Sequence, residues 1–197
     1  MQIKQITHAT GSYWNDAISL YCKVFPQWER EPIADIEQAI NSGHSRCMVL
    51  HQDNQVLGMS LTELYPSFSF AMLGYLFIAP SHQGKGLGKL LCHNLFDFFQ
   101  ADIDLKWLFV EAESGPEVFY ARLGFTALNI KYLSPHYNND QSTPMALMYL
   151  AKPEQNSPSK YQVCDIVEHI FLQSYYLMPT DPRLEQQRQR ILSKEYL

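Results

Sequence analysis

Cysteine and histidine are too sparse and too scattered in this sequence to form the usual ligand patterns of a metal-binding protein. The 197 residues include four cysteines and seven histidines, with no Cys-x-x-Cys or His-x-x-x-His spacing. Each cysteine falls in a segment with regular hydrophobic periodicity, so we expect the thiols to be mostly packed and reduced, as in cytosolic proteins. We therefore predict no metal site and a cytoplasmic location. The cysteines are Cys22, Cys47, Cys92 and Cys164.

Long apolar runs and an excess of positive charge are also missing. No run of about 18 apolar residues is present to span a membrane, and the segment Met1–Gln5 lacks the apolar core of a signal peptide. The formal net charge is −5, which disfavours nucleic acid as a partner because nucleic acids require a basic face. Hydrophobic residues make up 46% of the chain and charged residues 18%, which predicts a globular protein.

What the sequence does contain is a glycine-rich loop between a strand-like run and a helix-like run. Residues Gln83–Gly88 read Gln-Gly-Lys-Gly-Leu-Gly, and we call them the glycine loop. The apolar run Met72–Ala79 precedes the loop, and Lys89–Gln100 follows it with apolar residues at helical spacing. Glycine lets a backbone approach a ligand closely, and the free N–H groups at a helix start attract anions. The pattern predicts a loop that binds a pyrophosphate.

Two common phosphate-binding motifs do not match the glycine loop. A nucleotide P-loop needs Gly-x-x-x-x-Gly-Lys-[Ser/Thr], but Gln83 stands at its first position and Leu90 at its last. A dinucleotide fingerprint needs Gly-x-Gly-x-x-Gly, whereas the three glycines here recur at every second residue. What remains is Gln-x-x-Gly-x-Gly after a strand that ends in Pro80.

A second motif lies about thirty residues further along. Val118–Phe125 reads Val-Phe-Tyr-Ala-Arg-Leu-Gly-Phe and follows a strand-like run, Trp107–Ala112. Together, the two motifs and their separation resemble the coenzyme-A loop and the Tyr-x-x-x-Gly-Phe segment of the GCN5-related N-acetyltransferase (GNAT) superfamily. The resemblance covers roughly residues 1–152 and is sharpest from Leu73 to Phe125.

The resemblance and the periodicity together predict an α/β fold with a mixed sheet of six or seven strands flanked by helices. We expect a GNAT domain over residues 1–152 and a helical C-terminal extension over 153–197, joined by a Pro- and Ser-containing linker. Within the domain, Thr126–Leu133 is predicted to form one strand and Met145–Ala151 another. Two helices are predicted in the extension, over Lys160–Met178 and Arg183–Leu197.

The resemblance also implies which residues bind the cofactor. The backbone at Phe77 and Ile78 would pair with the pantetheine arm, as a peptide pairs with a sheet edge. The glycine loop would hold the pyrophosphate, with Lys85 adding positive charge from the solvent side. Many members of the superfamily have Arg where this chain has Gln83, so one positive charge is missing here. The implied cofactor-binding residues are Phe77, Ile78, Gln83, Gly84, Lys85, Gly86, Leu87 and Gly88.

Catalysis would require a proton donor for the leaving thiolate and a base for the amine. Tyr120 occupies the position where the superfamily often has its catalytic tyrosine; the alternative is that Tyr120 only packs beside its aromatic neighbours. Glu111 and Glu113 are predicted on one face of a strand as candidate bases, with Glu63 and Glu29 as alternatives. Glu113 stands near the place of an Asn that contacts the cofactor in many members, which puts that contact in doubt.

The region between the first two predicted helices would cover the acceptor, and there Trp28 and Glu29 are the candidate substrate-binding residues. The function implied is direct transfer of an acetyl group from acetyl-CoA to a primary amine of a small molecule or peptide. A covalent route through Cys92 is the lesser mechanism. The alternatives are a non-catalytic acyl-CoA-binding module and an acyltransferase that uses a longer acyl-CoA. A homodimer is left open.

Overall fold

The computed structural model describes residues 1–196. The chain divides into two compact units, Met1–Leu105 and Lys106–Leu197, and each is described by itself. The mixed α/β class predicted from the sequence is confirmed, and both units combine strands with helices. Whether a functional boundary lies at residue 152 stays a prediction.

The first unit is built on four antiparallel strands in the order in which they occur along the chain. β1 pairs with β2, β2 with β3 and β3 with β4. The predicted turn between β2 and β3 is confirmed at Asp53 and Asn54, which both take positive φ values of 48° and 63° and so close a two-residue hairpin. The strands are β1 (Gln2–Ile6), β2 (Ser45–Gln52), β3 (Gln55–Tyr65) and β4 (Phe70–Ile78).

Three helices pack with these strands. α1 (Ser12–Val24) buries Trp14 and Tyr21 in the same apolar cluster as β2 and β3 residues. α2 (Ile33–Ser42) ends at Gly43, whose φ of 78° is the left-handed conformation that glycine adopts without strain. α3 (Leu87–Ala101) follows the glycine loop, with a buried face that includes Leu91, Leu95 and Phe99.

The described part of the second unit contains four strands and three α-helices, of which α4 lies among the strands. β8 is its central strand, since β5, β6 and β7 all pair with it antiparallel. The predicted strand Thr126–Leu133 is interrupted: Leu128 N–H donates to the Leu147 carbonyl, and Ile130 N–H donates back to the Leu128 carbonyl at 2.8 Å. The elements are β5 (Trp107–Ala112), α4 (Ser114–Ala121), β6 (Thr126–Ala127), β7 (Tyr132–Pro135) and β8 (Ser142–Ala151).

Because that run divides into two strands, residues 1–196 contain eight strands where six or seven were expected. The division follows from the tight turn at Leu128–Ile130, in which the i to i+2 hydrogen bond cannot be part of a strand ladder.

The C-terminal extension forms two helices that pack in the second unit, α5 (Lys160–Gln173) and α6 (Pro182–Leu192). α5 starts at a capping box in which the Ser159 hydroxyl accepts from the Gln162 N–H and the Gln162 side chain accepts from the Ser159 N–H. It ends at Gln173, five residues before the predicted end at Met178. Just beyond this end, the Ser174 carbonyl accepts a hydrogen bond from Tyr137 Oη at 2.9 Å. In residues 1–196 no helix has the length and apolar character needed to cross a membrane.

Candidate active site

Two glycines give the glycine loop a left-handed backbone with open space beside it. Gly84 and Gly86 take φ values of 75° and 77°, which non-glycine residues adopt only with strain. A Cβ atom at either position would meet no heavy atom within 4 Å, so the space above this backbone is open. Gly86 is the N-cap of α3, and the first N–H groups of the helix therefore face the loop without intrahelical acceptors.

The polar side chains of the glycine loop brace it against neighbouring backbone. Gln83 Nε2 donates to the Ile78 carbonyl at 3.1 Å, and Lys85 Nζ donates to the Ser81 carbonyl at 3.3 Å. Gln83 thus fixes the loop to the end of β4, a role that a neutral amide performs without adding charge. No residue of the loop is acidic, so no side chain within it opposes an anion.

Leu87, Phe77 and Ile78 are all less than one-tenth exposed, at 7%, 4% and 7%. Leu87 and Ile78 belong to one apolar cluster with Leu50 and Leu91, and Phe77 meets Phe25 edge to face with ring centroids 5.9 Å apart. Their side chains therefore serve the core of the unit. The contact that the resemblance implies for Phe77 and Ile78 is made by the backbone, and it stays a prediction.

The candidate acceptor segment is anchored to β4 by a tyrosine that sequence reasoning did not identify. Trp28 and Glu29 lie in a short 3₁₀ turn between α1 and α2, and both are partly exposed. Tyr75 Oη donates to the Glu29 carbonyl at 2.8 Å and accepts from the Glu31 N–H at 2.9 Å. The Glu29 backbone is thus held by the side chain of Tyr75, which lies in β4 two residues before Phe77.

A β-bulge at Gly74 places a carboxylate beside β4. The β3–β4 register shifts between Leu61↔Tyr75 and Thr62↔Leu73, so Gly74 is the extra residue, and bulged residues leave the ladder. A Cβ atom at Gly74 would lie 3.0 Å from Glu63 Oε1. The Tyr65 hydroxyl donates to the same carboxylate. Glu63 was predicted only as an alternative candidate for the general base, and no local pattern indicated a bulge at Gly74.

In the second unit, Glu111 is the centre of a hydroxyl cluster. Tyr132 and Tyr175 both donate to its carboxylate, and Ser134 Oγ donates to Oε2 at 3.2 Å. Burial and the nearby Glu111 charge raise the pKa of Tyr132 well above its ordinary value, so Tyr132 stays a donor at all working pH values. Tyr175 comes from the C-terminal extension, which is therefore bound directly to β5.

Glu113 does not share a strand with Glu111, contrary to the prediction. β5 ends at Ala112, and Glu113 is the exposed N-cap of α4. Its carbonyl accepts the first helical bond, from the Glu117 N–H at 2.9 Å. The alternation of side chains that would have placed Glu111 and Glu113 on one face therefore stops at the end of β5.

Tyr120 lies near the end of α4 and is 6% exposed. Its ring meets Phe119 and Phe125 edge to face, with centroids 5.2 and 5.5 Å apart. The packing that was the alternative for this tyrosine is thus present, and its role as a proton donor stays a prediction. In residues 1–196 no group of three or more His, Cys, Asp or Glu side chains is arranged to hold a metal ion.

Cys92 is unsuited to carry an acyl group. It is fully buried in α3, and burial raises the pKa of its thiol to about 12. At pH 7 about one molecule in 10⁵ would then hold the reactive thiolate. Cys47 is equally buried, with its pKa also raised to about 12, and Cys164 is 2% exposed.

We expect Ellman's reagent to modify one of the four thiols in the native protein at pH 8, and all four after denaturation. The reactive thiol should be Cys22, the only cysteine of the described chain that is partly exposed. Rapid native modification of Cys92, located by peptide mass mapping, would contradict its assignment as a buried thiol.

Three comparisons with known proteins bear on this site. The family model for the acetyltransferase (GNAT) domain matches residues 18–142, which include the glycine loop, Glu111 and Tyr120. The [ribosomal protein bS18]-alanine N-acetyltransferase of Haemophilus influenzae is 28% identical over 101 residues, or 49% of this chain and 68% of that protein.

Among solved structures, a Bacteroides thetaiotaomicron protein assigned to the GNAT family of acetyltransferases is 19% identical with a TM-score of 0.72. That similarity covers 90% of this chain and 100% of the other. The spermidine N-acetyltransferase of Vibrio cholerae, in complex with CoA and spermine, is 18% identical with a TM-score of 0.58, and covers 76% and 95% of the two chains. At these identities the likeness establishes a shared fold.

Proposed function

The chain belongs to the GNAT acetyltransferase family, and on that premise we propose that it transfers an acetyl group from acetyl-CoA directly to a primary amine. The observation that carries the proposal is the open, left-handed backbone of the glycine loop at the start of α3. The names of the relatives support it. The H. influenzae protein is an alanine N-acetyltransferase, and the V. cholerae structure is a spermidine N-acetyltransferase with CoA.

The residues of the glycine loop fit a pyrophosphate. The loop offers the free N–H groups of α3 and has no acidic side chain. The space beside the Gly84 and Gly86 backbone is open, since a Cβ atom there would meet no heavy atom within 4 Å. The backbone of Phe77 and Ile78 would orient the pantetheine arm. Bound acetyl-CoA supplies the acetyl group as a thioester, which an amine attacks without a metal.

The acceptor amine must lose a proton before it can attack. A lysine-like amine has a pKa near 10.4, so about one molecule in 10³ is neutral at pH 7, a cost of roughly 4–5 kcal/mol. We assign the base to Glu63, because its carboxylate lies beside the bulge at Gly74. Glu113 is exposed at the start of α4, and the Glu111 carboxylate already accepts hydrogen bonds from three hydroxyls. Both are weaker candidates for this step.

Two further steps need donors. Negative charge develops on the carbonyl oxygen during attack, and a backbone N–H released from the ladder at the Gly74 bulge is a suitable donor to it. The leaving thiolate needs a proton from a group that is still protonated at neutral pH. A tyrosine, with an ordinary pKa of about 10, meets that condition, and we assign the role to Tyr120.

The test is release of free thiol from acetyl-CoA with a panel of primary amines, for the wild type and for Tyr120→Phe. General acid catalysis contributes about 10²- to 10⁴-fold, so kcat of Tyr120→Phe should fall by at least 10²-fold on the preferred amine. Affinity for acetyl-CoA, measured by calorimetry, should stay within about twofold because the hydroxyl serves only the chemical step.

Tyr149→Phe is the matched control, since Tyr149 is also a buried tyrosine of the second unit, with its hydroxyl 2.7 Å from Ser157 Oγ. It should keep wild-type kcat. Binding of acetyl-CoA without turnover on any amine would instead favour a non-catalytic binding module. Faster turnover with a longer acyl-CoA would overturn the acetyl preference alone.

A further inference from the structure

A cavity of about 450 Å³ lies in the first unit, at the end of the sheet where β2 begins. Its volume falls in the range of small-molecule sites, which hold ligands in roughly 300–1,000 Å³. The residues used below come from the end of β1, the end of α2, the strands β2 and β3, and α3. They are Thr7, Ile40, Ser42, Arg46, Leu64 and Phe98, and we call this space the Arg46 cavity.

Arg46 is a partly buried charge without an acidic partner. In residues 1–196, no carboxylate lies within ion-pair distance of its guanidinium, and no described residue lining the cavity is Asp or Glu. Burial alone accounts for the lowered pKa of Arg46. A charge removed from water without a counter-ion is unfavourable. Binding of an anion next to Arg46 would therefore lower the free energy of the protein.

The guanidinium is nevertheless held in a fixed orientation. One Nη2–H donates to Asn94 Oδ1 at 2.9 Å, and Cζ lies 4.8 Å from the centre of the Phe98 ring. Asn94 and Phe98 are four residues apart on α3, so both reach Arg46 from one face of that helix. An arginine oriented in this way has further N–H donors in a planar fork, the geometry that matches a carboxylate.

The rest of the lining is mixed. It includes the hydroxyl-bearing residues Thr7 and Ser42 and the apolar residues Ile40, Leu64 and Phe98. The Ser42 hydroxyl donates to the Gln38 carbonyl at 2.8 Å, and Ile40 is 2% exposed, so Leu64 and Phe98 supply most of the apolar surface. A bare inorganic anion would leave that apolar surface unused. We propose that the Arg46 cavity binds a small organic carboxylate, with the carboxylate on Arg46 and the hydrocarbon part on the apolar lining.

The Arg46 cavity is separate from the glycine loop. Leu87 of that loop packs in a cluster with Leu50, which is four residues from Arg46 along β2. At about 3.3 Å per residue, this places the two sites about 13 Å apart along the strand. Binding in the cavity can therefore be measured whether or not the chain transfers acetyl groups.

The experiment titrates the full ¹⁵N-labelled chain with sodium hexanoate and follows the Arg46 Nε–H and Asn94 side-chain resonances. Saturable shifts of both are expected, with 1-hexanol and inorganic phosphate each binding at least tenfold more weakly. Arg46→Met should weaken hexanoate binding at least tenfold, because it keeps an unbranched, largely apolar side chain and removes the guanidinium charge. Lys23→Met, which removes an exposed charge from α1, should bind like the wild type.

Ser42→Trp provides a second variant that keeps Arg46 and fills the cavity from the exposed end of α2. It too should weaken hexanoate binding at least tenfold. Absence of shifts at Arg46 in the wild type would overturn the proposal. Equal binding of 1-hexanol would show that the carboxylate charge does not matter. Equal binding of phosphate would show that the hydrocarbon part does not matter. Either result would also overturn it.

Discussion

Gly86→Glu should weaken acetyl-CoA binding by at least 100-fold in isothermal titration. The new side chain would project into the open space above the glycine loop and place a carboxylate where a pyrophosphate is proposed to bind. Two unit charges of like sign 4 Å apart repel by about 4 kcal/mol at the effective dielectric constant of a protein surface. That energy corresponds to roughly 10³-fold in affinity, and solvent screening reduces it toward the stated limit.

Gly43→Glu is the matched control for backbone strain. Gly43 ends α2 with φ 78° and ψ 7°, and Gly86 has φ 77° and ψ 6°. Both positions have open surroundings, so the left-handed strain of about 1–2 kcal/mol is the same in the two variants. Acetyl-CoA affinity should fall only in Gly86→Glu. Equal losses would attribute the effect to strain, and wild-type affinity in Gly86→Glu would mean that the loop is only a turn.

Local sequence patterns were sufficient where a single segment determines its own structure. The glycine loop was predicted because a strand-like run, alternating glycines and a helical run are contiguous. The observed α3 starts at Leu87 instead of Lys89 and ends one residue later than predicted, at Ala101. The earlier start arises because Gly86 in the left-handed conformation already closes the turn. The predicted strand Thr126–Leu133 was wrong, because its alternation of side chains conceals the tight turn at Leu128–Ile130.

The parts of the candidate site that the sequence did not predict depend on contacts between distant residues. Tyr75 reaches Glu29 across 46 positions of the chain, and Tyr175 reaches Glu111 across 64. The bulge at Gly74 depends on the β3–β4 register, which is set by pairing and not by any single segment. A residue that gains its role through such pairing carries no local signal, so Tyr75 looked like one more aromatic residue in an apolar strand.

The second large effect is expected from Gly58→Ala, which should lower the free energy of unfolding by about 3 kcal/mol. Gly58 pairs with Ile78 between β3 and β4. A Cβ atom there would lie 2.5 Å from the Phe77 carbonyl oxygen and 2.5 Å from Ile78 Cδ1. The Ile78 methyl group can rotate away, but the carbonyl belongs to the backbone, so β3 and β4 must separate. At about 2–4 °C per kcal/mol for a chain of this size, Tm should fall by roughly 6–12 °C.

The same separation should weaken acetyl-CoA binding, because Phe77 and Ile78 are the residues whose backbone is proposed to orient the pantetheine arm. Gly115→Ala is the control for the added methyl group. Gly115 lies in α4 with open space at its Cβ position and without a positive φ, so alanine should be neutral or stabilise by up to about 1 kcal/mol. Thermal denaturation and calorimetry on the two variants separate the effects. A wild-type Tm for Gly58→Ala would mean that β3 and β4 do not pack as closely as the structure shows. A lowered Tm with undiminished acetyl-CoA affinity would argue that the arm does not use the backbone of β4.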